Sequence, residues 1–181
     1  MTKIPGFDSP SAGFDSPLEL LAACHERIQR HCATLRRLAA HLATHGSDAD
    51  ARSAAEGVLR YFDTAARDHH ADEERDLFPA LHEALAGSDP ICVRELTDAL
   101  THEHRALEAA WVRLRDPLQR IAAGEPAMLA PADVDAPVSL YERHLEREDG
   151  ELLPMAERLL DDAQLARLGQ AMSERRGLRH G

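Results

Sequence analysis

Two segments of the chain carry nearly the same arrangement of a histidine, two acids and a proline. The first runs from His69 to Pro79 and the second from His144 to Pro154. In each segment Glu follows the histidine at the fourth position, a second acid at the fifth, Leu at the eighth and Pro at the tenth. Residues four apart lie on one face of an α-helix. Each segment therefore predicts an imidazole and a carboxylate that point at the same place, and two such pairs could hold two metal ions.

Helices must position these residues, and the spacing of apolar side chains predicts four long ones. Apolar residues recur at alternating steps of three and four, as in a helix with one buried face. Helix A is predicted to begin near Pro17 and to end at Gly46. Ser16 and Glu19 have the spacing of a capping box, which would satisfy free backbone N–H groups at the start of this helix.

The remaining helices follow from the same periodicity. Helix B is predicted to begin within 48–50 and to run to about Ala86, with a kink or break at Pro79. Helix C contains the apolar series 100–121 and helix D the series 138–159. Residues 124–137, rich in Gly, Pro and Ala, are predicted to form the longest connection.

A short fifth helix is predicted over 162–176, with Asp161 as its cap. Short loops between long helices pack those helices antiparallel around one core. The predicted fold is therefore all-α, an up-down-up-down four-helix bundle with a short C-terminal fifth helix. The corresponding divisions are a tail over 1–15, a bundle over 16–160 and the C-terminal helix over 161–181.

Each long helix carries one histidine where an apolar residue is expected, and helices B and D each add a carboxylate. The predicted metal ligands are His25, His69, Glu73, His104, His144 and Glu148. A buried carboxylate without a partner is costly, and cations that bind carboxylates and imidazoles together remove that cost. A nitrogen and oxygen ligand set without thiolates favours iron over manganese or zinc. The prediction is two iron ions joined by an oxo or hydroxo bridge.

Other side chains lie close enough in sequence to assist. His70 is adjacent to a predicted ligand, about 100° round the helix, and stays open as a further ligand. Ligating imidazoles need hydrogen-bond acceptors behind them. Asp72, Glu74 and Asp149 are candidates for that role, although exposure to solvent is the expected position of all three.

Composition narrows the class of protein. A net charge of −11 without a Lys/Arg patch argues against nucleic-acid binding. No stretch is apolar and long enough to span a bilayer, and the N-terminus lacks the apolar run of a secretory signal. Three cysteines without a CxxC pair are expected to be reduced, which favours the cytoplasm. The charged outer helix faces predict a monomer or a weak homodimer.

Taken together, these motifs resemble the hemerythrin-like family, the cation-binding HHE domains. The resemblance covers roughly 17–160 and implies a four-helix bundle that holds a non-haem di-iron centre and interacts with dioxygen or related small molecules. It rests on one motif from each long helix: His25 with Ile28, the run from His69 to Pro79, Glu103-His104, and His144 with Glu148 followed by Leu-Pro.

The chain departs from the oxygen-carrying hemerythrins at two points. Those proteins place a second His four residues from the first in helix C, where this chain has Leu100 and Glu108. Either Glu108 or His70 could replace that ligand, or a coordination position stays open. The carriers also have HxxxxD in the last helix, so Asp149 could compete with Glu148. Tyr141, one turn before the last histidine, could ligate or hydrogen-bond a bound peroxide.

Three functions follow as alternatives. The first is a non-haem di-iron protein that binds or senses dioxygen or nitric oxide, or holds iron. The second is a di-iron redox enzyme, namely a peroxidase, an oxidase or a nitric-oxide-processing protein. The third is a structural bundle without metal. A ferritin-like di-iron site needs Glu-x-x-His on two helices, and no histidine of this chain has a Glu three residues before it.

Overall fold

The structure, a computed structural model, describes residues 13–85 and 91–178. Within these ranges the chain forms helices, turns and short connections and no strand. Residues 1–12 of the predicted tail lie outside the described ranges. The turn predicted over 87–90 and the predicted end of helix B at Ala86 lie outside them as well.

The helices are numbered in chain order, with two short π-helical segments named π1 and π2. Their bounds are α1 Pro17–His45, α2 Ala49–Asp63, α3 Ala65–Asp72, π1 Glu73–Leu77, α4 Phe78–Ala84, α5 Ile91–Ala122, α6 Pro131–Arg147, π2 Glu148–Leu152, α7 Leu153–Leu159 and α8 Asp162–Arg175. Predicted helix B therefore consists of α2, α3, π1 and α4, and predicted helix D consists of α6, π2 and α7.

These elements form four long columns, A (α1), B (α2 to α4), C (α5) and D (α6 to α7), which lie in a ring in chain order. α1 packs against α2 and α6, and α5 packs against the same two helices. Each column thus lies beside its neighbours in sequence, which is the up-down-up-down arrangement. α8 packs across α1 and α3. The predicted all-α fold, a four-helix bundle with a short C-terminal helix, is confirmed.

Helix boundaries differ from the predictions at three places. Column B breaks at Thr64, whose φ of −128° and ψ of −85° are not helical. Column D begins at Pro131, inside the predicted connection, because proline fits the first turn of a helix. At the start of α1 the Ser16 side chain makes no capping hydrogen bond, so the predicted capping box is wrong. Asp161 does cap α8, and Gln164 completes that box.

The core consists of two apolar clusters with a polar layer between them. One cluster contains Ile28 and Leu107, and the other contains Leu21 and Leu100. Along α1 the order is Leu21, His25, Ile28, and along α5 it is Leu100, His104, Leu107. The histidine layer therefore lies between the clusters, enclosed by apolar side chains on both sides. Within the described ranges, no helix combines the length and the apolar character needed to cross a bilayer.

Candidate metal centre

The structure brings the six predicted ligand residues together at the centre of the bundle. All six are at most 1% exposed to solvent, although each carries a polar side chain: His25, His69, Glu73, His104, His144 and Glu148. The histidines come one from each column, and the two glutamates come from columns B and D. The antiparallel packing of the columns places them at one height.

Two imidazoles, those of His25 and His69, form one side of the cluster, here called the His25 side. Their ring centroids are 4.9 Å apart. His25 Nε2 lies 3.2 Å from Glu148 Oε2, and His69 Nε2 lies 3.8 Å from the same oxygen and 3.8 Å from Glu73 Oε1. Each of the four residues His25, His69, Glu73 and Glu148 offers one possible ligand atom, and these four atoms all lie within 4.8 Å of one another.

The opposite side, here called the His104 side, consists of His70, His104 and His144. Ligand atoms of these three lie within 4.8 Å of one another, and those of His104 and His144 also lie that close to both glutamates. His144 Nε2 is 2.8 Å from Glu148 Oε1 and His104 Nε2 is 3.2 Å from Glu73 Oε2. The ring of His70 stacks on that of His104 with centroids 4.1 Å apart.

Each glutamate is divided between the two sides. Glu148 directs Oε2 at the His25 side and Oε1 at the His104 side. Glu73 directs Oε1 at the His25 side and Oε2 at the His104 side. Both carboxylates, and the Nε2 atoms of all five histidines around them, are buried without a hydrogen-bond partner among the described residues. Buried polar atoms are ordinarily paired. A donor set of carboxylate oxygens and imidazole nitrogens that face one another without hydrogen bonds fits two cations bridged by two carboxylates.

Electrostatics in the cluster shift the pKa values of its groups in different directions. Burial lowers the pKa of His25, but the facing carboxylates of Asp149 and Glu148 outweigh it and raise that pKa to about 10, so a cation would have to displace a proton there.

The two glutamates and the two histidines of column B also differ from one another. Burial, and after it the neighbouring Glu148 carboxylate, raises the pKa of Glu73 well above its ordinary value. Burial acts in the same direction on Glu148, but His104 and other facing imidazoles outweigh it and hold its pKa well below the ordinary value. Burial lowers the pKa of His69 to about 4 and that of His70 well below its ordinary value. Both rings are therefore neutral near pH 7 and keep a lone pair for a metal.

Carboxylates behind the cluster hold the outer nitrogens of three imidazoles. Asp149 Oδ1 lies 2.6 Å from His25 Nδ1, and Glu74 Oε1 lies 2.7 Å from His104 Nδ1. These acids stand at the fifth position of the two repeated segments, so each segment supports a histidine of another column. A carboxylate in this place fixes the tautomer and orientation of a ligating ring. Glu74 is only 21% exposed, which corrects the expectation that it would be solvated.

Sequence reasoning missed the third of these acids. Glu103 Oε2 lies 2.9 Å from His144 Nδ1. Glu103 directly precedes a predicted ligand on α5, but its partner is on α6. Only the packing of those two helices brings them together. The repeated motif offered no signal, because Glu103 lies outside both copies.

Asp72 was expected to be exposed and is instead fully buried. Its carboxylate accepts hydrogen bonds from Arg175 and Arg176 at the end of α8. Arg175 also donates to Asp76, with its Nη2 2.5 Å from Oδ2. The C-terminal helix therefore holds the segment between His69 and Glu73 from behind. The sequence contained no sign of this contact, since the partners are about a hundred residues apart.

Two further candidate ligands lie at the margin or outside the cluster. Glu108 is half exposed and its carboxylate pairs with Arg105, so the structure does not bring it to the site. The ring of Tyr141 lies in the apolar core, 5.4 Å from that of Phe62 and 6.5 Å from that of His70. Burial raises its pKa, so the phenol is neutral. Of the replacements considered for the missing helix C histidine, the geometry favours His70.

Both repeated segments widen into π-helical turns at the glutamate that is a predicted ligand. π1 begins at Glu73 and π2 at Glu148, and Phe78 N–H and Leu153 N–H donate to the carbonyls five residues earlier. Single π turns inside α-helices are frequent at functional sites. The prolines at the tenth positions are the available sequence signal, since a residue without N–H disturbs the ordinary helical register. The kink or break predicted at Pro79 thus corresponds to a π-helical turn that ends two residues before that proline.

A helical bundle whose core contains two carboxylates between opposing imidazoles belongs to the class of cation-binding bundles. The sequence model of one such family, the hemerythrin HHE cation binding domain, matches residues 16–156. The chain belongs to this family, and the resemblance drawn from its motifs is confirmed. A protein of Haemophilus influenzae described as uncharacterized is 30% identical over 165 residues, which cover 91% of this chain and 92% of that protein. That similarity therefore extends over nearly the whole of both chains.

Proposed function

We propose that the chain is a non-haem di-iron protein that binds or senses a small molecule such as dioxygen or nitric oxide, or holds iron. The observation that carries the proposal is the division of Glu73 and Glu148 between the two sides of the cluster. A carboxylate whose two oxygens face two separate groups of imidazoles is placed to bridge two cations. The nitrogen and oxygen donor set favours iron over manganese or zinc.

The residues of the chain have distinct roles in this proposal. His25 and His69 would hold one iron, His104 and His144 the other, and Glu73 and Glu148 would bridge them. His70 is proposed as a seventh ligand on the His104 side. Two irons held this way would be joined by an oxo or hydroxo group, and would supply redox chemistry and a coordination position for a small molecule. The two apolar clusters exclude bulk water from the layer.

The alternative is a di-iron redox enzyme that acts on peroxide, dioxygen or nitric oxide. It shares the same ligands and differs in whether the bound molecule is turned over. Sustained consumption of hydrogen peroxide by the iron-loaded protein would favour the enzyme. A stable adduct that forms and is lost reversibly would favour binding or sensing. For its surroundings we propose the cytoplasm, supported by the free thiols of Cys24, Cys32 and Cys92, and a monomer or weak homodimer.

Metal content tests the proposal directly. Mass spectrometry of untagged protein is expected to find about two irons per chain, together with an oxo-to-ferric absorption band in the ultraviolet–visible spectrum. His69→Ala and Glu148→Ala should each lower the iron content, because each removes a donor that a buried centre needs. His102→Ala is the matched control, since His102 lies exposed on α5 two residues from His104.

Wild-type metal content in both His69→Ala and Glu148→Ala would show that the ligand assignment is wrong. Folded helical protein that takes up no iron, manganese or zinc would mean that the buried histidines are structural. Two bound zinc or manganese ions without iron would retain the centre and replace the proposed metal.

A further inference from the structure

The three carboxylates that hold imidazole Nδ1 atoms differ in their own partners. Glu74 accepts a hydrogen bond from Arg105, and Glu103 accepts one from Arg147, whose Nη1 lies 2.7 Å from Glu103 Oε1. Both carboxylates are mostly enclosed, at 21% and 24% exposure. Asp149 is 47% exposed, and His25 is the one partner of its carboxylate within the described ranges. Two of the three contacts are therefore backed by an arginine, and the third is open to water.

Both arginine-backed contacts serve the His104 side. Glu74 holds His104 and Glu103 holds His144, and both rings belong to that side. On the His25 side, His25 has only Asp149 behind it, and His69 Nδ1 has no hydrogen-bond partner among the described residues. The His104 side also has three imidazoles against two. The two halves of the centre are thus built unequally in donor number and in support.

This inequality has a direct consequence for binding strength. An arginine that neutralises a carboxylate and fixes its position keeps that carboxylate on the imidazole instead of in water. Loss of the hydrogen-bond partner behind a ligating imidazole typically lowers metal affinity by about 10–100-fold. A ring without an outer partner must be oriented by the metal itself, which takes free energy from binding. The better supported side should therefore hold its cation more tightly.

We propose that the two cations bind with unequal affinity, first and more tightly at the His104 side and then at the His25 side. Arg105 and Arg147 are positioning residues that act through Glu74 and Glu103. The inference rests on the proposed two-metal function. It gives the chain one retained cation and one that exchanges with the surroundings, so that different metals can occupy the two positions.

Titration of the metal-free full-length protein with cobalt(II) tests this inference. Cobalt uptake, followed by visible absorption and calorimetry, is expected in two steps whose dissociation constants differ by at least about tenfold. Glu103→Gln should weaken the tighter step by about 10–100-fold and leave the weaker step near its wild-type value. Asp149→Asn should weaken only the second step. This opposite response identifies which side belongs to which step.

The arginines are tested by the double variant Arg105→Ala/Arg147→Ala. It should weaken the tighter step by less than the roughly 10–100-fold loss expected for Glu103→Gln, and change the cobalt absorption of that step. The variant Arg105→Ala/Arg147→Lys should recover part of the loss seen in the double alanine variant, because an ammonium can also donate to Glu103. Arg115→Ala is the control, since Arg115 lies on α5 like Arg105 but pairs with Asp63 of α2, away from the histidine cluster. Thermal unfolding of the metal-free variants should show a folded bundle in every case.

Uptake of both cobalt ions in one step of equal affinity would overturn the inference while leaving the two-metal centre intact. The same holds if Glu103→Gln and Asp149→Asn weaken the same step, or if the double arginine variant behaves like Arg115→Ala. Failure of the wild-type protein to bind any cobalt, iron or zinc would instead overturn the proposed function.

Discussion

At the scale of single residues, the predicted centre contains two carboxylates whose burial away from water costs free energy. Glu73 and Glu148 are fully buried beside each other, and the pKa of Glu73 lies well above its ordinary value because of burial and of Glu148. An acid whose pKa is higher in the folded than in the unfolded protein destabilises the fold as pH rises through that interval. In the proposed centre, bound cations would remove this penalty, which would tie the stability of the core to metal binding.

Glu73→Gln is expected to separate stability from binding. The neutral amide should raise the melting temperature of the metal-free protein by about 2–4 °C per kcal/mol gained, with a larger gain at pH 8 than at pH 5. The same change should abolish binding of two cations, because the amide is a poor bridge. Differential scanning calorimetry and metal analysis measure the two effects. Glu56→Gln, on an exposed side chain of α2, should change neither. A metal-free Glu73→Gln protein less stable than wild type at pH 8 would contradict the argument.

At the scale of elements, α8 supports column B from behind. It lies outside the matched domain and places two arginines on the buried carboxylate of Asp72, in the turn that ends at Glu73. Burial raises the pKa of Asp72 despite these arginines, so the carboxylate depends on them to remain ionised. Removing one side of a buried ion pair is more damaging than replacing both sides.

Arg175→Met/Arg176→Met should therefore lower stability by about 3–5 kcal/mol, because it leaves the buried carboxylate without a cation. Adding Asp72→Asn to this double variant should recover much of the loss. Chemical denaturation of the metal-free proteins measures both effects. Arg36→Met, which removes the exposed ion pairs with Asp135 and Glu142, is the control and should change stability little, because water screens exposed ion pairs. If the triple variant is no more stable than the double variant, the carboxylate is not the cause of the loss.

At the scale of the whole molecule, the polar layer divides the core into two apolar clusters. Each cluster contains residues of all four columns, but neither extends through the polar layer, so the middle of the bundle depends on the contacts of that layer. In the proposed centre, cations supply those contacts by joining all four columns. Metal removal should therefore lower the stability of the whole bundle, because all four columns would lose a shared contact at once.

The melting temperature is expected to fall by about 8–16 °C when a strong chelator strips the protein of metal. A ligand at 1,000 times its dissociation constant stabilises the fold by about 4 kcal/mol, and each kcal/mol corresponds to about 2–4 °C for a chain of this size. His144→Ala should show a much smaller response to the chelator. Equal melting temperatures with and without bound metal would mean that the cations do not link the columns.

The sequence was sufficient where the interacting residues are close together in the chain, and insufficient where they are far apart. Local rules were sufficient for the helices and for the pairs His69–Glu73 and His144–Glu148, because residues four apart share a helix face whatever the fold. The clustering of one histidine from each column also followed, since antiparallel packing places matching core positions at one height.

Only the tertiary structure decided which acids stand behind which rings. Glu74 reaches His104, Glu103 reaches His144 and Asp72 meets the arginines of α8, and none of these partners lies in the same column as its acid. Such contacts depend on the rotation of one helix against another, which periodicity leaves undetermined. The π turns change that rotation by widening the helix at Glu73 and at Glu148. The sequence by itself therefore determined the bundle and the residues that converge in its core. The packing of the helices decided the division of those residues into two unequal sides.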